Sequence, residues 1–361
     1  MLSFCVASRE TDAGGRRSDL HEYLGGPIFP PKEGESNPWT GARLPTHLGH
    51  EMCGTIVELG SGVSGFSVGD RVCVNPAQHC GHHGMPYCGA CRSGNHNICK
   101  RTAYYGLNSH GGGFSEDICV KPFALIPLPD NVSLRLAGLA EPLAVARHMI
   151  RVSDFEAGDN AVVLGAGPIG CAITYLLKAL GAGTVIVSEI AASRAKQAAS
   201  FGADKVVNPL DGPKPAAGGN EASAAVLAAV QGLTEEGVDV AFDCCGLQTT
   251  LDTAIASVRP GGVVFNVAIH EKPLKVHLNE LTLSEKRLTG GICYTRQDFD
   301  DVVQVLSTNG AEAERLITSI IPLEQVIEGG FQELIKNTAN HVKILVEVNG
   351  EGSSGGSRSR L

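Results

Sequence analysis

No apolar run in this sequence approaches the roughly 20 residues that a bilayer-spanning helix requires. The first residues, Met1-Leu-Ser-Phe-Cys-Val-Ala-Ser-Arg-Glu10, carry no basic n-region, and their apolar core is too short for a secretory h-region. Basic residues are outnumbered, with 29 Lys and Arg against 38 Asp and Glu. The resulting net charge of −9 argues against a broad surface for nucleic acid or anionic lipid. What remains is a soluble globular composition, 43% hydrophobic and 19% charged, in 361 residues that suffice for two domains. A cytoplasmic protein is expected, in which the twelve cysteines stay reduced. Their clustering then suggests metal binding before disulfides.

The most informative stretch runs from Asn160 to Glu189. Asn160-Ala-Val-Val-Leu164 has the apolar run of a strand buried on both faces. It leads directly into Gly165-Ala-Gly167-Pro168-Ile169-Gly170. Apolar residues then recur with helical spacing at Ile173, Leu176, Leu177 and Leu180, and Gly181 supplies a stop. A second apolar strand, Thr184-Val-Ile-Val187, ends at Ser188-Glu189. Strand, glycine turn, helix, strand and acid together predict dinucleotide binding, with the pyrophosphate on the helix N-terminus. Glu189 is placed to accept hydrogen bonds from the adenosine ribose and to repel a 2′-phosphate, which favours NAD over NADP. Arg194, five residues on, could receive that phosphate and tempers the preference.

Cys80, Cys88, Cys91 and Cys99 follow a C-x7-C-x2-C-x7-C spacing on a polar, Gly- and Asn-containing segment. Such a segment offers little core in which to hide free thiols, so a closed tetrahedral zinc site is expected. His79, His82 and His83 could compete as ligands, but solvated positions are expected for them. Before and after this lobe, short strands broken by glycine turns have the pattern of a small antiparallel barrel. Leu136–Ile150 reads as a helical stretch interrupted at Glu141-Pro142. A carboxylate in that Leu/Ala run is either a metal ligand or a helix cap ahead of proline, and composition does not separate the two. From Phe155 to about Gly291 strands and helices alternate as in a doubly wound parallel sheet. Residues 1–17 read as an irregular lead-in, since Thr11–Arg17 has neither alternation nor helical period, and 349–361 as a disordered tail.

Gly49-His50-Glu51, Gly69-Asp70-Arg71-Val72, the four-cysteine lobe, Glu141-Pro142 and the glycine turn together resemble the zinc-containing medium-chain dehydrogenases, over about Ser18–Val348. Within them the chain is most similar to the butanediol and then the sorbitol dehydrogenases. The resemblance implies an α/β protein: a GroES-like antiparallel β-barrel catalytic domain plus a Rossmann doubly wound parallel sheet. Its parts would be 18–150 with the zinc lobe at 80–99, an NAD-binding insert at 151–291, and a return at 292–348. It also implies a catalytic zinc that activates a secondary alcohol for hydride transfer to NAD, and a homodimer or homotetramer. His50 and Glu51 match zinc ligands, and Glu141 one held directly or through water. Ser18 matches the hydroxyl and His21 the terminal base of a proton relay.

One departure stands out. The family reads Cys-Gly-Ser-Asp where this chain reads Arg16-Arg17-Ser18-Asp19, so a cation replaces a thiolate ligand. No counterpart of the family's N-terminal strands is evident in 1–15. Either the start of the chain is mis-assigned, which the abrupt onset of the match at Ser18 favours, or the catalytic metal has been lost. On this basis Arg16→Cys alone is expected to restore little.

Overall fold

The computed structural model describes residues 2–8, 18–213, 222–270, 272–337 and 341–348; for 2–8, Ser18 and His21 it describes the backbone only. In chain order the first elements are β1 (Leu2–Ser8), α1 (Ser18–Gly25), β2 (Glu51–Ile56), β3 (Arg71–Val74), β4 (Ala77–Gln78), α2 (Gly89–Arg92), β5 (Ala103–Tyr104), β6 (Asp117–Ile118) and β7 (Leu125–Pro127). The short α3 (Leu134–Ala137) and the longer α4 (Ala140–Arg151) then lead into β8 (Ala161–Leu164), α5 (Pro168–Ala179), β9 (Val185–Ser188), α6 (Ala192–Ser200) and β10 (Lys205–Val207). Next come α7 (Ala224–Gln231), β11 (Val238–Asp243), α8 (Gln248–Ser257), β12 (Val258–Asn266), α9 (Leu278–Thr282) and β13 (Arg287–Gly290). The chain closes with α10 (Arg296–Ala313), β14 (Ile317–Pro322), α11 (Glu333–Lys336) and β15 (Lys343–Glu347).

Two sheets carry the fold among the described residues. One is parallel, in the order β10-β9-β8-β11-β12-β13. Its central strand β8 is buried at every position because helices cover both faces. The other sheet runs β14-β15-β1-β2-β3-β7, with β6 also on β1, and joins both ends of the described chain. It is antiparallel except for the β14–β15 pair. The two halves meet where α4 packs on α5 and α10. Phe242 and Phe265, fully buried on neighbouring parallel strands, belong to the core that continues into this contact.

Two expectations are corrected here. Residues 2–8 are not irregular: they form β1, pairing with β2 through Ala7–Glu51 and with β15 through Val6–Val346. The alternation Leu2/Phe4/Val6 against Ser3/Cys5/Ala7 is that of a strand, and β2 and β15 each offer it an open edge. Residues 9–17 and the tail at 349–361 lie outside the described residues. Nor does Glu141-Pro142 interrupt a helix. The break falls at Gly138-Leu139, and Pro142 sits in the first turn of α4, where its missing N–H costs nothing. Gly181 does end α5: it takes φ +87°, and Ala182 N–H closes on Leu177 O at 2.9 Å.

Candidate active site and zinc lobe

His50 and Glu51 enter from the start of β2, and Glu141 from the first turn of α4. One ligand atom from each lies within 4.8 Å of the others. The turn that delivers His50 is set by close backbone packing. Gly49 takes φ +93°, and a Cβ on Gly106 would lie 2.1 Å from Gly49 O, so only glycine fits there. Asp19, fully buried on α1, accepts from Gly49 N–H at 3.1 Å and lies 3.1 Å from His50 Nδ1. A carboxylate so close to Nδ1 favours the ring proton there, which leaves the Nε2 lone pair for a metal. One imidazole nitrogen and two carboxylates form a donor set that suits zinc, whose bonds of about 2.0–2.2 Å need only a small closure of this cluster.

Buried polar side chains surround the cluster. Lys343, buried on β15, donates to Glu51 Oε2. Tyr294, also buried, is pushed well above the ordinary phenol range by burial and then by the charge of Glu141. Tyr104 Oη lies 3.1 Å from Cys293 Sγ, and burial pushes that thiol up to about 11. Cys293 holds φ +55°, an uncommon conformation for a residue with a Cβ. The side chains of Ser18 and His21 lie outside the described residues; their backbone places them one turn apart on α1, beside Asp19.

The glycine turn has the geometry its sequence predicts. Gly165 takes φ +100°, and a Cβ on Gly170 would lie 1.9 Å from Gly165 O, so strand and helix meet at backbone contact. Gly167 caps α5, and Pro168 and Ile169 open it. Glu189 is buried just beyond the end of β9. Its Oε2 accepts from Ala166 N–H at 2.9 Å and its Oε1 from Ala191 N–H at 2.8 Å. The carboxylate therefore braces the turn itself, a role its spacing does not reveal. Arg194 is half-buried in the first turn of α6.

The four cysteines converge as expected. All are buried, and their sulfurs lie within 4.8 Å of one another. The Cys80–Cys99 and Cys88–Cys99 separations are 3.6 and 3.9 Å. Tetrahedral zinc with bonds of about 2.3 Å places sulfurs about 3.8 Å apart. Backbone amides at Cys91 and Lys100 pull the Cys88 thiol down to about 6, while burial pushes Cys91 up to about 12. Arg101 Nη1 donates to Cys80 Sγ at 2.9 Å, a further contact that favours thiolate. The histidines beside the lobe are not solvated as expected. His82 is 4% exposed, His79 and His83 are half-buried, and burial pushes His79 down to about 4 and His82 to about 3. Tyr87 stands edge-on to His79, and Phe123, far along the chain, edge-on to His82.

Several residues of the site escaped the sequence reading. Asp19 was visible only as part of the Ser-Asp dipeptide. Lys343 gave no signal, because its partner Glu51 lies 292 positions away. Asn97 links the lobe to the segment after β13, donating to Ile292 O at 2.9 Å and lying 3.2 Å from His148 Nε2. His148 Nδ1 lies 2.9 Å from Asp298, which also receives Arg151. Burial alone would raise the Asp298 carboxyl, but these partners outweigh it and hold it well below the usual range.

Comparison with known proteins agrees with this geometry. The zinc-binding dehydrogenase family matches residues 168–308, and the alcohol dehydrogenase GroES-like domain matches residues 11–130. The (R,R)-butanediol dehydrogenase of Saccharomyces cerevisiae is 38% identical over 93% of this chain and 89% of its own length. The crystal structure of 2R,3R-butanediol dehydrogenase from Bacillus subtilis superposes with a TM-score of 0.83 at 36% identity, covering 96% of this chain and 91% of that one. A zinc-binding dehydrogenase structure from Sinorhizobium meliloti bound to NADP reaches 0.74 at 27% identity, over 96% and 92%. With both family domains matched in sequence, and the GroES-like and Rossmann halves both present in the fold, the chain belongs to the zinc-containing medium-chain dehydrogenases, a family of alcohol and polyol oxidoreductases.

Proposed function

We propose that this protein is an NAD-dependent dehydrogenase of secondary alcohols, with a vicinal diol and its hydroxyketone as the substrate pair and a polyol as the next candidate. The observation that carries this is the convergence of His50, Glu51 and Glu141, the last in the first turn of α4, which packs on the dinucleotide helix α5. Pro142 and Lys343, next to Glu141 and paired to Glu51, line one small cavity with Pro168 and Ala172 of α5. When bound, zinc supplies polarisation of the alcohol oxygen and NAD the acceptor for hydride. The chain's own residues do the rest. Asp19 fixes the His50 tautomer, and Lys343 holds the Glu51 carboxylate. Ser18 is assigned to accept the alcohol's proton as it gives up its own, which His21, one helical turn along, would receive by way of the cofactor ribose and pass to solvent. The choice of a diol rests on the two butanediol dehydrogenases to which the chain is similar. NADH formation with butane-2,3-diol should exceed that with sorbitol in kcat/KM; the reverse order would assign a polyol. A second reading, an NAD-binding protein with impaired catalysis, is favoured by Arg16 in place of a thiolate ligand.

NAD is proposed over NADP because Glu189 puts a buried negative charge where a 2′-phosphate would have to sit. Each of its oxygens keeps a second lone pair for the ribose hydroxyls after bonding Ala166 and Ala191. NADH should bind at least about tenfold more tightly than NADPH, a difference of about 1.4 kcal/mol. Glu189→Ala should weaken NADH and narrow the gap, since it removes both the charge and the brace of the turn. Equal affinities in the unmodified protein would reject this assignment and point to Arg194.

A homodimer is proposed through the edge of the parallel sheet. Among the described residues β13 pairs only with β12, and all four of its residues are exposed. Leu278, Leu283 and Ile292 add exposed apolar surface around Leu288 of the strand. An open, apolar edge is a template for strand pairing. Light scattering should give twice the 37.6 kDa chain mass, and Leu288→Arg should halve it. A monomeric parent would remove the proposal. A cytoplasmic location is proposed from the clustered thiols of the cysteine lobe, which a reducing compartment keeps available for metal.

A further inference from the structure

Beside the four-cysteine centre lies a second set of donors that the dehydrogenase chemistry does not use. His79 and His96 stack with ring centroids 4.1 Å apart and planes 10° from parallel. One nitrogen of each lies within 4.8 Å of the other and of Cys91 Sγ. The elements that close the cysteine lobe also bring these rings together. His79 directly precedes Cys80, and His96 opens the 3₁₀ turn His96–Ile98 that leads to Cys99. Both histidines are half-buried, so a cation reaches them from solvent without opening the lobe, whereas all four cysteines are buried.

We propose that His79, His96 and Cys91 Sγ form a second metal position abutting the four-cysteine centre and sharing the Cys91 thiolate with it. Two imidazoles and a thiolate select a borderline or soft cation, of which Zn²⁺ is the natural candidate, over Mg²⁺ or Ca²⁺. Tetrahedral zinc places its ligand nitrogens about 3.3 Å apart and lies in the plane of each imidazole, so occupancy swings the two rings out of their present stack. Gly81 N–H donates to His79 Nδ1 at 3.1 Å, which leaves the ring proton on Nε2. Zinc therefore displaces either that proton or that hydrogen bond, and this position is weaker than the four-cysteine centre.

The test counts metal and does not depend on activity. In a His50→Ala background, which disables the catalytic donors, protein is equilibrated with buffered free Zn²⁺, separated from the bulk and assayed for zinc per chain. The inference expects two zinc ions per chain there, and one when His96→Phe is added, since phenylalanine keeps the stack but removes the donor. Melting temperature with the zinc of the four cysteines retained should be unchanged by His96→Phe. One zinc in the His50→Ala protein overturns the inference whatever the second variant does. Two in both proteins overturns it equally.

Discussion

Cys91→Ser is expected to strip zinc from the lobe, lower the melting temperature by roughly 5 °C or more, and reduce activity with it. Binding of a structural zinc contributes on the order of 10 kcal/mol to the fold that holds it. Only part of that is lost globally, but about 3 kcal/mol already shifts the melting point of a domain this size by several degrees. The lobe has little else to hold it: α2 is a single turn of four residues, and the core of the segment is the four cysteines with Ala90 packed against them. Loss of activity follows from how the lobe is anchored. Asn97 bonds to Ile292 O, and the next residues, Cys293 and Tyr294, are the ones that sit against Tyr104 and Glu141. Releasing the lobe therefore releases a wall of the catalytic cluster. Calorimetry with zinc analysis on the same sample checks this, and a zinc-free Cys91→Ser protein that melts unchanged would show that the lobe folds without metal.

The parallel sheet was legible because each of its signals is local. Asn160–Glu189 contains its own strands, turn, helix and acid, and nothing distant is needed to read them. The four cysteines were legible for a related reason: their chemistry restricts what a cluster of that spacing does. What escaped depends on pairs far apart in sequence. The burial of Lys343 against Glu51 joins β15 to β2, and the link from Asn97 to Asp298 runs through His148. Strand β1 was overlooked for a different reason. Its alternation is present in Leu2–Ser8, but so short a run beside the unpatterned Thr11–Arg17 carries no local sign of its partners. Pairing with β2 and β15 supplies the long-range hydrogen bonds that make this short run a strand. Glu189 shows the limit of a motif: its position was predictable, while its bonds to Ala166 and Ala191 were not.

Arg16→Cys is expected to raise both the zinc held at the catalytic cluster and the rate of butane-2,3-diol oxidation, by about a hundredfold or more. Residues outside the ligand shell already change metal affinity or activity by about 10–100-fold, and a ligand itself acts at least as strongly. Charge explains why the thiolate matters here. Of the two carboxylates in the cluster, Glu51 is already neutralised by Lys343, so His50, Glu51 and Glu141 offer a divalent cation one net negative charge. An arginine cannot lose its proton to help, whereas a cysteine gives up its own on binding zinc. The sequence alone led to the opposite expectation for this single substitution, because it credited the chain with no N-terminal strands. With β1 seated between β15 and β2, the sheet that carries His50, Glu51 and Lys343 has no missing member at that position, and Asp19 already grips His50. One donor is then the main deficit, and one substitution addresses it. NADH formation measured at equal protein concentration, with zinc counted in the same samples, decides the matter. Full activity of the unmodified chain would show that the three remaining donors suffice. Zinc uptake by Arg16→Cys without a gain in rate would move the deficit to Ser18 and His21.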